Sequence, residues 1–194
     1  MDSGTFGCFS GCPVDRSVTV ITPTLAERSQ LLAELANDLC HQTVPFVWFP
    51  CRDDLGLGPG PIRNVLALMA RTEWLAFIDD DDRVDANHLD ALLTNAHFAD
   101  VVYSLGRVEG RQWTIPHDCN LEQLDVVNQI PMTSLVRRSA FIRAGGFPEM
   151  ERDEDWGLWR RMKAQGARFR CVHLETWTYR FHNVGRGNRT WWNG

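Results

Sequence analysis

The sequence has 194 residues, of which 44% are hydrophobic and 23% are charged, and its formal net charge is −5. This length supplies one substantial core and is too short to suggest two, and no apolar run approaches the 18 or more residues of a membrane span. The start of the chain lacks the basic and apolar regions of a signal peptide, so we expect a cytoplasmic protein with no membrane partner.

The first 17 residues form a lead rich in Gly and Cys, for which we predict a loose conformation. Of the six cysteines only Cys8 and Cys12 lie near one another. This spacing matches neither a zinc ribbon nor a disulfide framework, and a metal site at this pair would need two further ligands. Reduced thiols are therefore expected.

A β-branched run at residues 18–22 predicts the first strand, which stops at the turn Pro23-Thr24. Apolar residues at helical spacing then predict a helix over 25–40, and strand character returns at 45–49. The order strand, helix, strand implies parallel pairing through a right-handed crossover.

A loop rich in Gly and Pro, residues 55–61, leads into a helix predicted over 62–71. Its backbone donors could cradle a phosphate, but its spacing matches neither a Walker motif nor a dinucleotide fingerprint. Arg63 and Asn64 in the first helical turn are expected to point toward the sheet edge that carries the acids described next. The alternative is that both are ordinary surface residues.

The central signal is an apolar strand, beginning at Trp74, that ends in the four carboxylates Asp79, Asp80, Asp81 and Asp82. Four adjacent like charges are costly unless a cation holds them, and oxygen ligands of this kind suit Mg²⁺ or Mn²⁺. The alternative is a solvated acidic turn that caps the next helix. Because a pure turn rarely follows so buried a run, the pattern favours a metal site.

The remaining pattern extends the alternation of strands and helices and then becomes less regular. The trio Asp153-Glu154-Asp155 opens a helix, where acids also favour the helix dipole without any catalytic role. The predicted elements are a helix at 85–97, a strand at 100–105, a hairpin at 107–115, an irregular stretch at 116–129, a strand at 130–136, helices at 139–145 and 153–165, and strands at 168–173 and 176–181.

Six segments in this order resemble family 2 glycosyltransferases of the GT-A fold: VTVITPT, the RN pair, IDDDD, MTSLVRRSAFIRAGGF, DEDWGLWRRM and YRFH. The resemblance implies an α/β nucleotide-diphospho-sugar transferase domain, Rossmann-like, with a central mostly parallel sheet flanked by helices. It covers residues 18–182, with 18–105 as the nucleotide-sugar half and 106–182 as the acceptor half. Residues 183–194 are then a C-terminal tail.

The resemblance also implies roles for individual residues. Asp79 and Asp81 would hold Mn²⁺ or Mg²⁺ with help from His182, and Asp155 would be the catalytic base beside Glu154. The donor site would be lined by Pro23, Thr24, Glu27, Asp53, Asp54, Arg63, Asn64, Asp79 and Asp80. Candidate acceptor contacts are Trp156, Arg180, Trp191 and Trp192.

The sequence departs from the family pattern at the end of the second strand. Family members commonly carry there an Asp that reads the nucleobase, whereas Pro50-Cys51-Arg52 precedes Asp53 and Asp54 here. Which of the two acids replaces it stays open, and so does the nucleobase, although a UDP-sugar is our first expectation. The short loop that follows, with no membrane segment or second domain, argues against a processive polymer synthase.

The implied reaction is a one-step displacement that inverts the anomeric centre. A nucleotidyltransferase of similar fold would show a Gly-rich, Lys/Arg-containing signature after the first strand, which Pro23-Thr24-Leu25-Ala26 lacks. An inactive nucleotide-sugar-binding module would have lost the metal or base acids, and both are present.

The charge distribution bears on the acceptor. Residues 1–136 carry a net charge of −11 and residues 137–194 carry +6, and 19 of the 20 basic residues are Arg. We expect a small-molecule or glycan hydroxyl first, because a DNA-binding domain is more often basic throughout. A hydroxymethylated base in phage DNA is the second candidate, since compact Arg-rich enzymes resembling this one occur in actinobacteria and their phages, acting in the host cytoplasm.

Overall fold

One mixed sheet organises the computed structural model, which describes residues 18–116, 120–150 and 153–181. In this part of the chain the sheet has eight strands in the order β2-β1-β3-β7-β5-β8-β4, and β6 pairs with β5. The strands are β1 Val18–Thr24, β2 Val47–Arg52, β3 Trp74–Phe77, β4 Arg83–Val84, β5 Val101–Val108, β6 Thr114–Ile115, β7 Ser134–Arg137 and β8 Phe169–Tyr179.

The helices cover both faces of this sheet. They are α1 Ser29–Cys40, α2 Pro59–Met69, α3 His88–Thr94, α4 Arg138–Arg143 and α5 Glu154–Ala164, with 3₁₀ turns at Ala26–Arg28 and Leu121–Asp125. One core layer, with Phe77 and Trp159, packs beneath α2, α4 and α5. The other, with Leu35, Leu89 and Trp177, packs beneath α1 and α3. The predicted α/β architecture is confirmed.

Strand directions bring the functional residues to one edge. β1 pairs in parallel with β2 and β3, and β5 pairs in parallel with β8. β7 is antiparallel to both β3 and β5, so β3 and β5 run the same way. The carboxyl ends of five strands therefore share one edge, which is where ligands bind in open α/β sheets.

Several element boundaries differ from the sequence-based expectation. The strand predicted at 45–49 continues to Arg52, since β2 is an edge strand in which Pro50 opposite Thr22 is tolerated. The helix predicted at 85–97 shortens to α3, and residues 83–84 form the unpredicted β4. The two strands predicted at 168–181 are one strand, β8, with irregular register against β5 near Leu105.

The expectation of reduced cysteines is wrong for one position. Cys171 on β8 is disulfide-bonded, whereas Cys40 and Cys51 are free. Cys8 and Cys12 lie outside the described residues. None of the described helices has the length and apolar character needed to cross a bilayer.

Candidate functional site

The acidic turn is fixed on both sides by the sheet. β3 is buried along its whole length, and the Ile78 amide continues its pairing by donating to the Ile21 carbonyl at 3.2 Å. Beyond the turn, β4 pairs with β8 through Arg83 opposite Thr178. The four carboxylates are thus delivered to the shared strand edge by one buried strand and held there by another.

Asp80 and Asp82 are directed into the protein. Asp80 is fully buried and accepts hydrogen bonds from Thr24 Oγ1 at 2.5 Å and from Arg28 Nη1 at 2.7 Å. Burial raises the pKa of Asp80 to about 6 against the opposing effect of these two donors. Asp82 accepts a hydrogen bond from Thr133 at 2.5 Å, and burial with the charges of Asp81 and Asp79 raises its pKa well above the ordinary value.

Asp79 is the most exposed of the four acids, whereas Asp81 is nearly as buried as Asp82. The Asp79 side chain keeps 30% of its surface exposed and accepts from Arg63 Nη2 at 2.5 Å. Burial, then the charge of Asp81, raises the pKa of Asp79 in spite of this arginine. The Asp81 carboxylate lies 3.1 Å from Arg28 Nη2, and its main-chain carbonyl accepts from Arg180 Nε at 2.8 Å.

Arg63 joins the acidic turn to the start of α5. It is only 3% exposed, and besides Asp79 it donates through Nη1 to Glu154 at 2.8 Å. Its guanidinium lies 5.4 Å from the centre of the Phe147 ring, and its buried Nε has no hydrogen-bond partner. The second turn of α2, the turn after β3 and the first turn of α5 therefore meet at the Arg63 guanidinium.

The neighbouring Asn64 has a structural position. Its side-chain amide donates to the Phe147 carbonyl at 3.0 Å and accepts from the Phe147 amide at 2.8 Å. Gly146 has φ +69°, and a Cβ there would come 2.4 Å from Asn64 Oδ1. Asn64 thus fixes α2 against the turn after α4.

Asp155 is a partly buried carboxylate with defined hydrogen bonds. It accepts from Asn128 Nδ2 at 2.9 Å and from the Trp156 amide at 2.7 Å. Burial and the charge of Glu154 raise the pKa of Asp155 to about 6. Asp153, which precedes the helix, has φ +60° and ψ +30°, an uncommon conformation outside glycine that often marks a functional turn.

The two candidate base-reading acids are both engaged with the protein. Asp53 accepts from the amides of Leu57 at 2.9 Å and Gly58 at 2.7 Å. Burial favours a higher pKa for Asp53, but these amide hydrogen bonds lower it below the ordinary value. Asp54 forms an exposed ion pair with Arg52.

The other predicted site residues are distributed unevenly. Pro23 lies in β1, and Glu27 is exposed in the following turn. Trp156 donates its indole N–H to the Leu124 carbonyl at 2.6 Å, which joins α5 to the 3₁₀ turn Leu121–Asp125. Arg180 pairs with Glu34 of α1 at 2.5 Å. His182, Trp191 and Trp192 lie outside the described residues.

Sequence reasoning missed Arg28, Thr133 and Asn128, which contact the acids of the site. Arg28 offered a signal, since it lies in the turn that directly follows β1, at the edge of the sheet where the strand ends. Thr133 and Asn128 offered none, because their contacts with Asp82 and Asp155 depend on how distant segments pack.

The donor chemistry of the acidic turn fits a hard divalent cation. The charge of Asp81 contributes to the raised pKa of Asp79, and a bound cation would relieve the repulsion between the two carboxylates. Within the described residues, no three His, Cys, Asp or Glu side chains are arranged to hold a metal by themselves. A bound ion would therefore need further oxygen ligands from outside these side chains.

Comparison with known proteins identifies the fold. No family model and no curated protein matches the chain. Among solved structures, TarS 1–349 from S. aureus in complex with UDP-GlcNAc is 18% identical, with a TM-score of 0.70 over 87% of this chain and 60% of that one. Mannosyltransferase PcManGT from Pyrobaculum calidifontis, in complex with GDP-Man and Mn²⁺, is 15% identical, with a TM-score of 0.67 over 93% and 62%.

These likenesses establish a GT-A fold, as the sequence predicts. The chain spans about 60% of the length of TarS 1–349. With identities below one fifth, the assignment of an activity has to come from the site itself.

Proposed function

We propose that this protein is a metal-dependent, inverting glycosyltransferase that moves a sugar from a nucleoside diphosphate sugar to an acceptor hydroxyl. The observation that carries the proposal is the buried Arg63, which joins the strand-end acid Asp79 to Glu154 beside Asp155. Arg63 would thus link the proposed leaving-group site at Asp79 with the proposed base beside Glu154, on a fold that other proteins use to bind nucleotide sugars.

The donor end has both acids and cations. Asp79 and Asp81 would hold Mn²⁺ or Mg²⁺, which supplies Lewis-acid neutralisation of the diphosphate when bound. Arg28 lies between Asp80 and Asp81 and keeps this part of the turn ordered. Since Arg63 is anchored from two sides, it offers a preorganised positive charge where negative charge grows on the leaving group.

The base end is built around Asp155. A pKa of about 6 leaves this carboxylate ionised at neutral pH and makes it a stronger base than an ordinary Asp. It accepts the proton of the acceptor hydroxyl while that oxygen forms a bond to the anomeric carbon. The bond from this carbon to the diphosphate oxygen breaks with its electron pair, so attack from the opposite face inverts the configuration. Asn128 holds the carboxylate through its hydrogen bond.

For the donor, a UDP-sugar is the first candidate, since structures of TarS contain UDP-GlcNAc or UDP. GDP-Man, which is bound in the PcManGT structure, is the second candidate.

For the acceptor, a glycan or small-molecule hydroxyl ranks above modified DNA. Several basic residues of the positively charged half are neutralised in ion pairs, which reduces the field available to a polyanion. Those pairs involve Arg137, Arg160, Lys163 and Arg168.

The test is release of nucleoside diphosphate from a panel of UDP- and GDP-sugars, measured with Mn²⁺, with Mg²⁺ and with EDTA, in the presence of simple glycoside acceptors. Asp155→Asn should retain donor binding by calorimetry while transfer falls by about two orders of magnitude. Asp81→Asn should lose the response to Mn²⁺. The matched control is Asp90→Asn on the exposed side of α3, which should behave as wild type. Transfer at the wild-type rate by Asp155→Asn would remove Asp155 as the base.

A further inference from the structure

The outward face of α2 carries no charge. The helix has one charged side chain, Arg63, and that side chain is buried in the site. Val65, Leu68 and Met69, spaced by three and four residues, lie on the outer side with 56%, 63% and 62% of their surfaces exposed. A helix on the outside of a domain normally presents polar side chains there, so this exposed apolar face is unusual.

The neighbouring helix extends this surface. Arg138 at the start of α4 donates to the Ala67 carbonyl at 3.1 Å and to the Leu68 carbonyl at 3.2 Å, which places α4 against the end of α2. Ile142, one helical turn after Arg138, is 41% exposed. We call Val65, Leu68, Met69 and Ile142 the α2–α4 face.

The rim of the α2–α4 face is basic. Arg71 follows α2, and Arg138 and Arg143 are the first and last residues of α4. Residues 59–73 and 138–147, all described by the structure, include a single acid, Glu73, which pairs with Arg137. An apolar centre within a positive rim therefore interrupts a protein whose net charge is −5.

We propose that the α2–α4 face is a docking surface for an anionic lipid bilayer. Exposed aliphatic side chains enter the boundary between headgroups and acyl chains, while arginines at the rim meet anionic headgroups. A second copy of this protein would be a poor partner for the α2–α4 face because of its charge. A two-fold interface would place each basic rim near its equivalent, with no acids on the face to compensate.

This inference goes beyond the proposed function and differs from the sequence-based expectation of no membrane partner. It concerns peripheral attachment, which needs no spanning helix. α2 also carries Arg63 in its second turn, so docking would hold one wall of the candidate site at a fixed orientation to the bilayer. An acceptor hydroxyl carried by a lipid would then be presented to the site without free diffusion.

The experiment is flotation of the full-length protein with vesicles of phosphatidylcholine alone or with about 30% phosphatidylglycerol, at low and high salt. We expect binding to the anionic vesicles that weakens as salt rises. Arg143→Glu should weaken it by at least about fivefold, the loss that corresponds to about 1 kcal/mol per arginine near an anionic surface. Leu68→Glu should weaken it by a similar factor or more.

The matched control is Phe98→Glu. Phe98 is 84% exposed and follows α3, which packs on the opposite face of the sheet, so this substitution should leave binding unchanged. All variants are checked by circular dichroism and melting temperature, and Met69→Gln replaces Leu68→Glu if the latter unfolds.

Two results would overturn the proposal. One is equal or absent flotation with both vesicle compositions. The other is a dimer in sedimentation velocity that Leu68→Glu dissociates, without any vesicle binding by the wild type, which would assign the α2–α4 face to a second copy. Because the readout is binding alone, failure here and failure of the proposed transferase activity are distinguished.

Discussion

Arg63 donates to Glu154 at 2.8 Å across 91 residues of sequence, and the same guanidinium donates to Asp79 at 2.5 Å. One buried cation therefore balances two carboxylates, one in the turn after β3 and the other at the start of α5. A buried ion pair adds little by being present, but removal of one partner leaves uncompensated charge.

We accordingly expect Arg63→Met to lower the free energy of unfolding by about 3 kcal/mol and to abolish transfer, since Asp79 and Glu154 lose their shared partner. Urea unfolding at pH 7.5 measures the first effect. Arg71→Met, at an exposed position two residues after the same helix, should change stability by less than about 0.5 kcal/mol. A fully stable Arg63→Met protein would show that the pair contributes nothing to the fold.

The pH dependence of transfer should report Asp155. Since its pKa is about 6, kcat/KM should fall tenfold per pH unit below this value as the base becomes protonated. Burial and the charge of Glu154 both raise the pKa of Asp155. Glu154→Gln removes the second cause, so the acidic limb should move to lower pH even if the maximal rate drops. An acidic limb that stays in place in this variant would contradict the assignment.

Acid should destabilise the fold through His88. This residue is fully buried, its Nδ1 lies 2.7 Å from Thr176 Oγ1, and its Nε2 has no partner. Burial lowers the pKa of His88 from 6.5 to about 4. Between these two pH values the unfolded chain binds more protons at His88 than the folded one. The contribution of neutral His88 to the free energy of unfolding is therefore complete above pH 6.5 and is lost as the pH falls toward 4, by up to about 3 kcal/mol.

The measurement is urea unfolding of wild type and His88→Gln at pH 7.5 and pH 5. The raised pKa values of Asp80 and Asp155 act in the opposite direction in this range, so the difference between the two proteins isolates His88. The difference in the free energy of unfolding between wild type and His88→Gln should be smaller at pH 5 than at pH 7.5. His97→Gln, an exposed histidine, should show no such change.

Gly106 is required by close packing against Trp177. A Cβ at this position would lie 2.2 Å from the indole ring of Trp177, which is 2% exposed. Gly106→Ala should therefore destabilise the protein by about 3 kcal/mol, by forcing the ring or the strand to move. In the Trp177→Leu background, Gly106→Ala should lower the free energy of unfolding by much less than in the wild type. If the effects of the two substitutions simply add, the contact between this methyl group and Trp177 is not the cause.

Much of the architecture was accessible from sequence because hydrophobic periodicity and turn residues are local signals. The run from Trp74 to Ile78 predicts a buried strand with acids at its end, and the structure has that strand. Local patterns do not say which segments meet, however. β4 is only two residues long and exists because Arg83 and Val84 find partners on β8.

The same limit applies to the site. The four adjacent acids look equivalent in sequence, yet Thr24, Arg28, Arg63 and Thr133 give each a different environment. Asp53 and Asp54 could not be separated either. Their partners, the amides of Leu57 and Gly58 for one and Arg52 for the other, follow from how the loop after β2 turns back.

The position of β8 sets the order in which the site can be assembled during synthesis. Arg180, the residue after β8, donates to the Asp81 carbonyl across 99 residues, and β4 pairs with β8 itself. A nascent chain that ends at residue 168 includes β1, β2 and β3 and all four acids, but it lacks the strand that holds the far side of the acidic turn. The proposed affinity for a divalent cation should therefore arise late, when the last described strand leaves the ribosome. C-terminal truncations into β8 should lose this affinity before they lose the helices packed on the first three strands.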